Sequence, residues 1–108
     1  MDPIHILYID RNHDICTTME RVISKQEDWK GTIVQTDNAA KEAFEKQAIS
    51  IVLLGSGITT ENETDLRLFF KSKNANIPII QHYGGGSGLL KSEIYNALSL
   101  INKNTDER

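Results

Sequence analysis

The sequence predicts an α/β fold in which a parallel sheet carries helices on both faces. Three observations support this. Four short apolar runs alternate with four segments of helical spacing. The first run, Ile4 to Ile9, is nearly continuous and rich in β-branched residues, as suits a strand covered on both sides. The 108 residues fit one domain, which can bury roughly two-thirds of the surface its unfolded chain exposes.

Taken in order, Ile4 to Ile9 reads as the first strand, and Ile15, Met19, Val22 and Ile23 form the stripe of a first helix. Asp14 is a candidate N-cap for that helix, and Gly31 lies close enough to help end it. Trp29 then falls near the helix end. Thr32 to Gln35 is a shorter, more polar second strand, as an edge strand would be. Ala39, Ala40, Ala43 and Phe44 mark a second helix, with Asn38 as a candidate cap. Ile51 to Leu54 is a third strand closed by Gly55, and Leu66, Phe69 and Phe70 give a third helix. Ile77 to Ile80 is a fourth strand with Pro78 near its start, where proline is tolerated. Leu90, Ile94, Ala97, Leu98 and Ile101 form the longest stripe, with Ser87 or Gly88 as its cap. Residues 1–103 are expected to form the domain and the polar 104–108 a fraying tail.

Strands alternating with helices imply right-handed βαβ units. The expected architecture is a flavodoxin-like three-layer sandwich with strand order 2-1-3-4, four strands or at most five. Ligands of such sheets bind beyond the carboxyl ends of the strands, where strand order reverses. Here that point lies between strands one and three, lined by Asp10 to Asp14 and Gly55 to Ile58, with Tyr83 to Gly88 nearby.

The net charge of −3 and the scattered lysines and arginines argue against a nucleic-acid partner, which needs clustered cations. A single cysteine, Cys16, cannot form an internal disulfide, and no Cys/His cluster suggests zinc. No apolar run approaches the ~18 residues of a membrane span. The first residues lack the pattern of a signal peptide. The expectation is a cytoplasmic protein with no membrane contact.

The stretch Ile6-Leu7-Tyr8-Ile9-Asp10-Arg11-Asn12-His13-Asp14 resembles the opening of a response-regulator receiver domain, of the chemotaxis-regulator type. Asn38 to Phe44 is similar to that family's second helix, Ile51 to Gly55 to its third strand, and Asn76 to Ile80 to its fourth. The resemblance runs in order from Ile4 to Ile80, and the last helix fits the family's final one. It implies a bacterial two-component signalling role. The departures bear on chemistry. The resemblance places a phosphate-accepting aspartate where Gly55 stands, followed by Ser56. Of the acid pair that holds Mg²⁺, Asp10 remains and Arg11 replaces its neighbour. Tyr83 takes the place of the switch hydroxyl, and the lysine–proline pair after strand five is absent. The segment Gly84-Gly85-Gly86-Ser87-Gly88 is too short for a helix and a strand, so the fourth helix and fifth strand are expected to be deleted. Asp10, Arg11, Gly55, Ser56 and Tyr83 thus form an expected vestigial pocket, with no cofactor, no metal and no enzymatic activity.

A weaker resemblance is to the B component of cellobiose-type sugar phosphotransferase systems, a four-stranded parallel domain. Its phosphorylated cysteine would stand where Asp10 stands; Cys16 lies six residues later, inside the first helix.

Other candidates have plainer readings. Asp10 is expected to accept backbone hydrogen bonds or pair with Arg11. His13 is placed on an exposed loop. Cys16 is either a thiol activated near a helix start or a small helical core residue. Gly84 to Gly88 could wrap an anion at a helix start, or only shorten the chain path. His82 and Tyr83 could form a contact patch, and Trp29 is expected to pack against the loop to strand two.

The leading expectation is a non-phosphorylatable, receiver-like module working by protein–protein interaction. The alternatives are a phosphocarrier using Cys16 or His13, and a small-anion or nucleotide sensor using the glycine loop. Ile77 to Ile80 would be an edge strand without protecting charges, beside the last helix, Leu90 to Ile101. That edge and helix are the expected surface for a protein partner or self-association.

Overall fold

The computed structural model describes residues 3–81 and 92–98. The elements are β1 (Ile4–Ile9), α1 (His13–Ser24), β2 (Trp29–Val34), α2 (Asp37–Lys46), β3 (Ile51–Leu54), α3 (Thr60–Lys73) and β4 (Ile79–Gln81), with residues 92–98 helical. The four strands form one parallel sheet in the order β2-β1-β3-β4, the expected flavodoxin-like arrangement. The order reverses between β1 and β3, so their carboxyl ends open the crevice where such sheets bind ligands.

Strand alternation splits the core in two. Leu7 and Ile9 of β1, with Val52 and Leu54 of β3, face α2 and α3 and pack on Ala40, Ala43, Leu66 and Phe70. Ile6, Tyr8, Ile51 and Leu53 face the other way, onto Met19 and Ile23 of α1 and Ile94 of the 92–98 helix. β1 and β3 are buried on both faces, which is why their sequences are unbroken apolar runs. Tyr8 is the exception in composition: its ring fills the α1 side of the core while its hydroxyl reaches the crevice.

Several local expectations are corrected. β2 begins at Trp29, three residues earlier than expected, and ends at Val34. It pairs along the whole of β1, from Ile4↔Trp29 to Ile9↔Val34. Trp29 is therefore a strand residue, buried and stacked obliquely on Tyr95 with ring centroids 6.1 Å apart. α1 already ends at Ser24 with Lys25 as C-cap, so Gly31 is a mid-strand residue and ends no helix. The N-cap of α1 is Asn12, whose side chain accepts from Ile15 N–H at 3.0 Å; Asp14 lies in the first turn, where its charge suits the helix dipole. His13 is the first residue of α1 and no loop residue. The N-cap of α2 is Thr36, accepting from Ala39 N–H at 3.1 Å, and Asn38 sits inside the first turn. β4 starts at Ile79, after Pro78, whose carbonyl accepts from Val52 N–H at 3.0 Å.

Of the last helix, expected over Leu90 to Ile101, residues 92–98 are helical, with Ile94 buried and Ala97 and Leu98 packed on the α1-side core. The remaining positions of that helix, the Gly84 to Gly88 segment, His82, Tyr83 and the tail 104–108 lie outside the described residues. So do the expected deletion between Tyr83 and Leu89 and the proposed cap at Ser87 or Gly88.

Candidate functional site

The crevice between β1 and β3 is closed by the chain's own side chains. β1 ends at Ile9 and delivers Asp10 to the mouth; β3 ends at Leu54 and delivers Gly55 and Ser56 opposite. Asp10 is fully buried. Its Oδ2 accepts from the Tyr8 hydroxyl at 2.7 Å and from Ser56 N–H at 3.0 Å. Its Oδ1 accepts from Asn12 N–H at 2.8 Å and from the Ser56 hydroxyl at 2.9 Å. Two backbone amides and two hydroxyls thus converge on one carboxylate. Burial pushes the Asp10 carboxyl up, but the donors from Asn12, Tyr8 and Ser56 outweigh it and hold the group below its ordinary range. Burial, then the hydrogen bond to Asp10, pushes the Tyr8 phenol far up, so it remains a donor at any physiological pH.

Gly55 is required by this arrangement. A Cβ at residue 55 would overlap Asp10 Oδ2 and stand 2.5 Å from the Tyr8 hydroxyl. The space a side chain would use there is taken by the Tyr8–Asp10 pair.

Arg11 turns away from Asp10. Its guanidinium donates to the Gln35 carbonyl at 2.9 Å and forms an ion pair with Asp37. The loop after β1 is thereby tied to the start of α2. Arg11 N–H also donates to the Ser56 carbonyl at 3.1 Å, linking the loops after β1 and β3. Gly57, at φ +80°, lies against this residue: a Cβ there would come within 2.7 Å of Arg11 Cβ.

Cys16 is buried one turn into α1, and its thiol donates to the Asp10 carbonyl at 3.4 Å. Burial, and then the Asp10 charge, push the thiol pKa up, opposite to the activation expected at a helix start.

The residues present do not fit a magnesium ion. The one carboxylate at the crevice has both oxygens engaged by four donors, the next residue, Arg11, supplies no carboxylate and turns its side chain to Gln35 and Asp37, and Gly55 supplies no side-chain ligand. Among the described residues no group of three or more His, Cys, Asp or Glu side chains is placed to hold a metal.

The structure therefore brings together Asp10, Gly55 and Ser56, with Arg11 sharing the backbone link but aiming its side chain elsewhere; Tyr83 and Gly84 to Gly88 lie outside the described residues. Sequence reasoning missed Tyr8, hidden within an apolar strand. Its available signal was a phenol two residues before Asp10, on the same face of the strand. It also missed Asp37 as the partner of Arg11.

No family model matches the sequence, and no curated protein is similar to it. Solved structures do resemble it. The signal receiver domain of an HD domain-containing protein from Pseudomonas fluorescens Pf-5 superposes with a TM-score of 0.81 at 8% identity, covering 100% of this chain and 96% of that one. A response regulator receiver modulated diguanylate cyclase from Pelobacter carbinolicus gives a TM-score of 0.74 at 15% identity, covering 94% of this chain and 97% of that one. The chain has the fold of response-regulator receiver domains.

Proposed function

We propose that this chain is a receiver-like bacterial signalling module that is not switched by aspartyl phosphorylation and works through protein contact, without enzymatic activity, in the cytoplasm. The observation that carries the reading is the occupancy of the crevice: the buried Asp10 carboxylate, held by four donors, fills the space above Gly55. A phosphoryl acceptor at that position would need the volume and the donors that Asp10 already uses. The set Asp10, Arg11, Gly55 and Ser56 is then a vestigial pocket converted into a structural joint. No described helix is long and apolar enough to cross a membrane, which accords with this placement.

Two of the structural neighbours are a receiver domain of an HD-domain protein and a receiver-modulated diguanylate cyclase. A role beside a separate output protein agrees with that company. The contact surface we favour is the β4 side with the last helix, Ile77 to Ile80 and Leu90 to Ile101. On it Tyr95 keeps 40% of its surface exposed while Ile94, its neighbour, is buried. Backbone pairing at β4 is the less favoured form of contact, because side chains of α3 already bond the carbonyl of Ile79 in the strand and that of Ile77 just before it. Arg67 donates to the Ile79 carbonyl at 3.3 Å and Lys71 to the Ile77 carbonyl at 2.6 Å. The protection expected to be missing from this strand comes from the preceding helix.

The phosphocarrier alternative is not favoured, because Cys16 is buried with its thiol bonded to Asp10 and His13 stands exposed at the start of α1. No described residue bears on the anion-sensor alternative.

The test is incubation with Mg²⁺ and acetyl phosphate followed by intact mass measurement. No added phosphoryl group is expected. A stoichiometric acid-labile phosphoryl adduct would overturn the reading.

A further inference from the structure

His5 interrupts the apolar start of β1, on the same face as Leu7 and Ile9, which pack against α2 and α3. The residue is only 6% exposed. Lys30 lies directly opposite it on β2, and Thr32 lies opposite Leu7, so Lys30 and Thr32 share that face. His5 Nε2 is 2.8 Å from Thr32 Oγ1, and the Thr32 hydroxyl donates to Gln47 Oε1 at 3.1 Å. A hydroxyl has one proton to give. With that proton on Gln47, Thr32 Oγ1 accepts from His5 Nε2–H, which fixes the tautomer of the neutral ring. Nδ1 is then the bare nitrogen that takes up a further proton, and it has no hydrogen-bond partner among the described residues. Gln47, with its Oε1 engaged, keeps its amide N–H groups as unpartnered donors among the described residues.

An open groove of about 410 Å³, lined by Pro3, His5, Lys30, Lys46, Gln47 and Ala48, lies at this amino end of the strands, opposite to the crevice. Its volume suits a small molecule. The lining holds two lysines and an imidazole and no carboxylate. Lys30 makes no ion pair among the described residues. Lys46 pairs with Glu42 at 2.8 Å, an exposed pair that contributes little and yields readily to a ligand. The last carbonyls of α2, which ends at Lys46, bear partial negative charge, and Lys46 offsets them. Lys30 leaves the groove positive.

We propose that this groove binds a small molecule through a dianionic oxyanion, a phosphate or sulfate group, taken up together with a proton on His5 Nδ1. Lys30, Lys46 and the Gln47 amide supply donors, and His5 Nδ1–H becomes the fourth. Burial, then the Lys30 charge, hold the His5 imidazole below its ordinary range, so the ring is neutral near pH 7 with no anion bound. An oxyanion in the groove offsets the Lys30 charge and favours the imidazolium, so the anion and the proton bind cooperatively. The groups around His5 agree with this. On β2 stand Lys30 and Thr32, and at the end of α2 Lys46 and Gln47. Ahead of β3 stands Ser50, whose uncharged hydroxyl accepts from His5 N–H at 3.0 Å. Glu42 reaches Lys46 from outside the lining. The proposal is independent of the signalling role, since it uses neither the crevice residues nor the 84–88 segment.

The test is a titration of the ¹⁵N-labelled full chain with sodium sulfate, and separately with sodium phosphate, at ionic strength held constant with sodium chloride. Backbone amides and the His5 ring nitrogens are followed by NMR. Saturable shifts are expected at His5, Lys30, Thr32 and Gln47, with the Asp10, Gly55 and Ser56 amides unmoved. The tighter of the two anions identifies the group that the ligand carries. Sulfate stays a dianion across the range used, so its pH dependence belongs to the protein. Its affinity should be at least about fivefold higher at about pH 5.5 than at about pH 8, and saturating sulfate should raise the His5 midpoint, since the coupling is reciprocal. Protonation should appear at Nδ1. Lys30→Gln, at an exposed position, should weaken sulfate at least about fivefold and raise the His5 midpoint of the free protein, with circular dichroism unchanged. No saturable response at His5 to either anion, the same shifts with chloride alone, or an affinity indifferent to Lys30→Gln would overturn the proposal.

Discussion

The Tyr8 hydroxyl donates a 2.7 Å hydrogen bond to Asp10 Oδ2 in the space that a side chain at residue 55 would need. A residue of β1 and the first residue beyond that strand thus dictate glycine at the position just after β3. The relationship is testable by adding a single methyl. Gly55→Ala should cost about 2 kcal/mol or more in urea unfolding, because backbone and buried side chains must part to admit it. A neutral effect would mean that Asp10 swings aside easily and that the crevice is not locked.

Tyr8→Phe keeps the ring in the core and removes one of the four donors to Asp10. A hydrogen bond to a buried charged group is worth about 1.5–3 kcal/mol, so a loss of that order is expected. Asp10→Asn should also destabilise at neutral pH, since an amide nitrogen would then face donors.

Acid titration separates these two variants. The folded-state pKa of Asp10 is held below its unfolded value. The stability it contributes is present above the unfolded carboxyl pKa, about 4, and is lost as pH falls through the folded one. Wild type and Tyr8→Phe should therefore both begin to lose stability on acidification near the unfolded carboxyl pKa, about 4, and the variant, with one donor fewer, should lose less and finish its decline at the higher pH. Asp10→Asn should lack this contribution and show a shallower acid limb. Equal acid slopes in wild type and Asp10→Asn, measured by denaturant unfolding at several pH values, would contradict the assignment.

The Arg11–Asp37 pair lies partly open, with side chains 29% and 21% exposed. A double-mutant cycle with Arg11→Ala and Asp37→Ala should give a coupling of only about 0.5–1 kcal/mol, reduced by salt. A larger coupling that salt does not weaken would show a stiffer joint between the β1 and β2 loops than the exposure implies.

Cys16 should react slowly with a thiol reagent at neutral pH in the folded protein and quickly in denaturant, because burial and the Asp10 charge keep the thiol protonated. Rapid labelling of the native state would reopen the phosphocarrier alternative.

What the sequence disclosed follows from where burial is two-sided. β1 and β3 are covered on both faces, so Ile4 to Ile9 and Ile51 to Leu54 stand out as apolar runs, and the sheet order follows from their alternation with helices. β2 is covered less fully and starts with Trp29-Lys30-Gly31, which reads as the end of a helix until its pairing with β1 is known. The caps were ambiguous because Asn12 and Asp14, and likewise Thr36 and Asn38, are all able to cap. The hydrogen bonds decide between them: Asn12 accepts from the Ile15 N–H and Thr36 from the Ala39 N–H. At the crevice, Asp10, Gly55 and Ser56 were legible from their places at strand ends. Tyr8 was not, since a phenol inside an apolar strand looks like core. The cover on β4 was missed because its charges, Arg67 and Lys71, sit on a helix and reach the strand only in three dimensions.

The most direct measurement of the central claim is an amide NMR titration of the ¹⁵N-labelled chain with Mg²⁺ and beryllium fluoride, which mimics a phosphoryl group on a receiver aspartate. With Asp10 saturated and Gly55 enclosed, the account predicts no saturable shifts at Asp10, Arg11, Gly55 or Ser56. Saturable shifts confined to those residues would show that the crevice still accepts a metal and an anion, and would contradict the account.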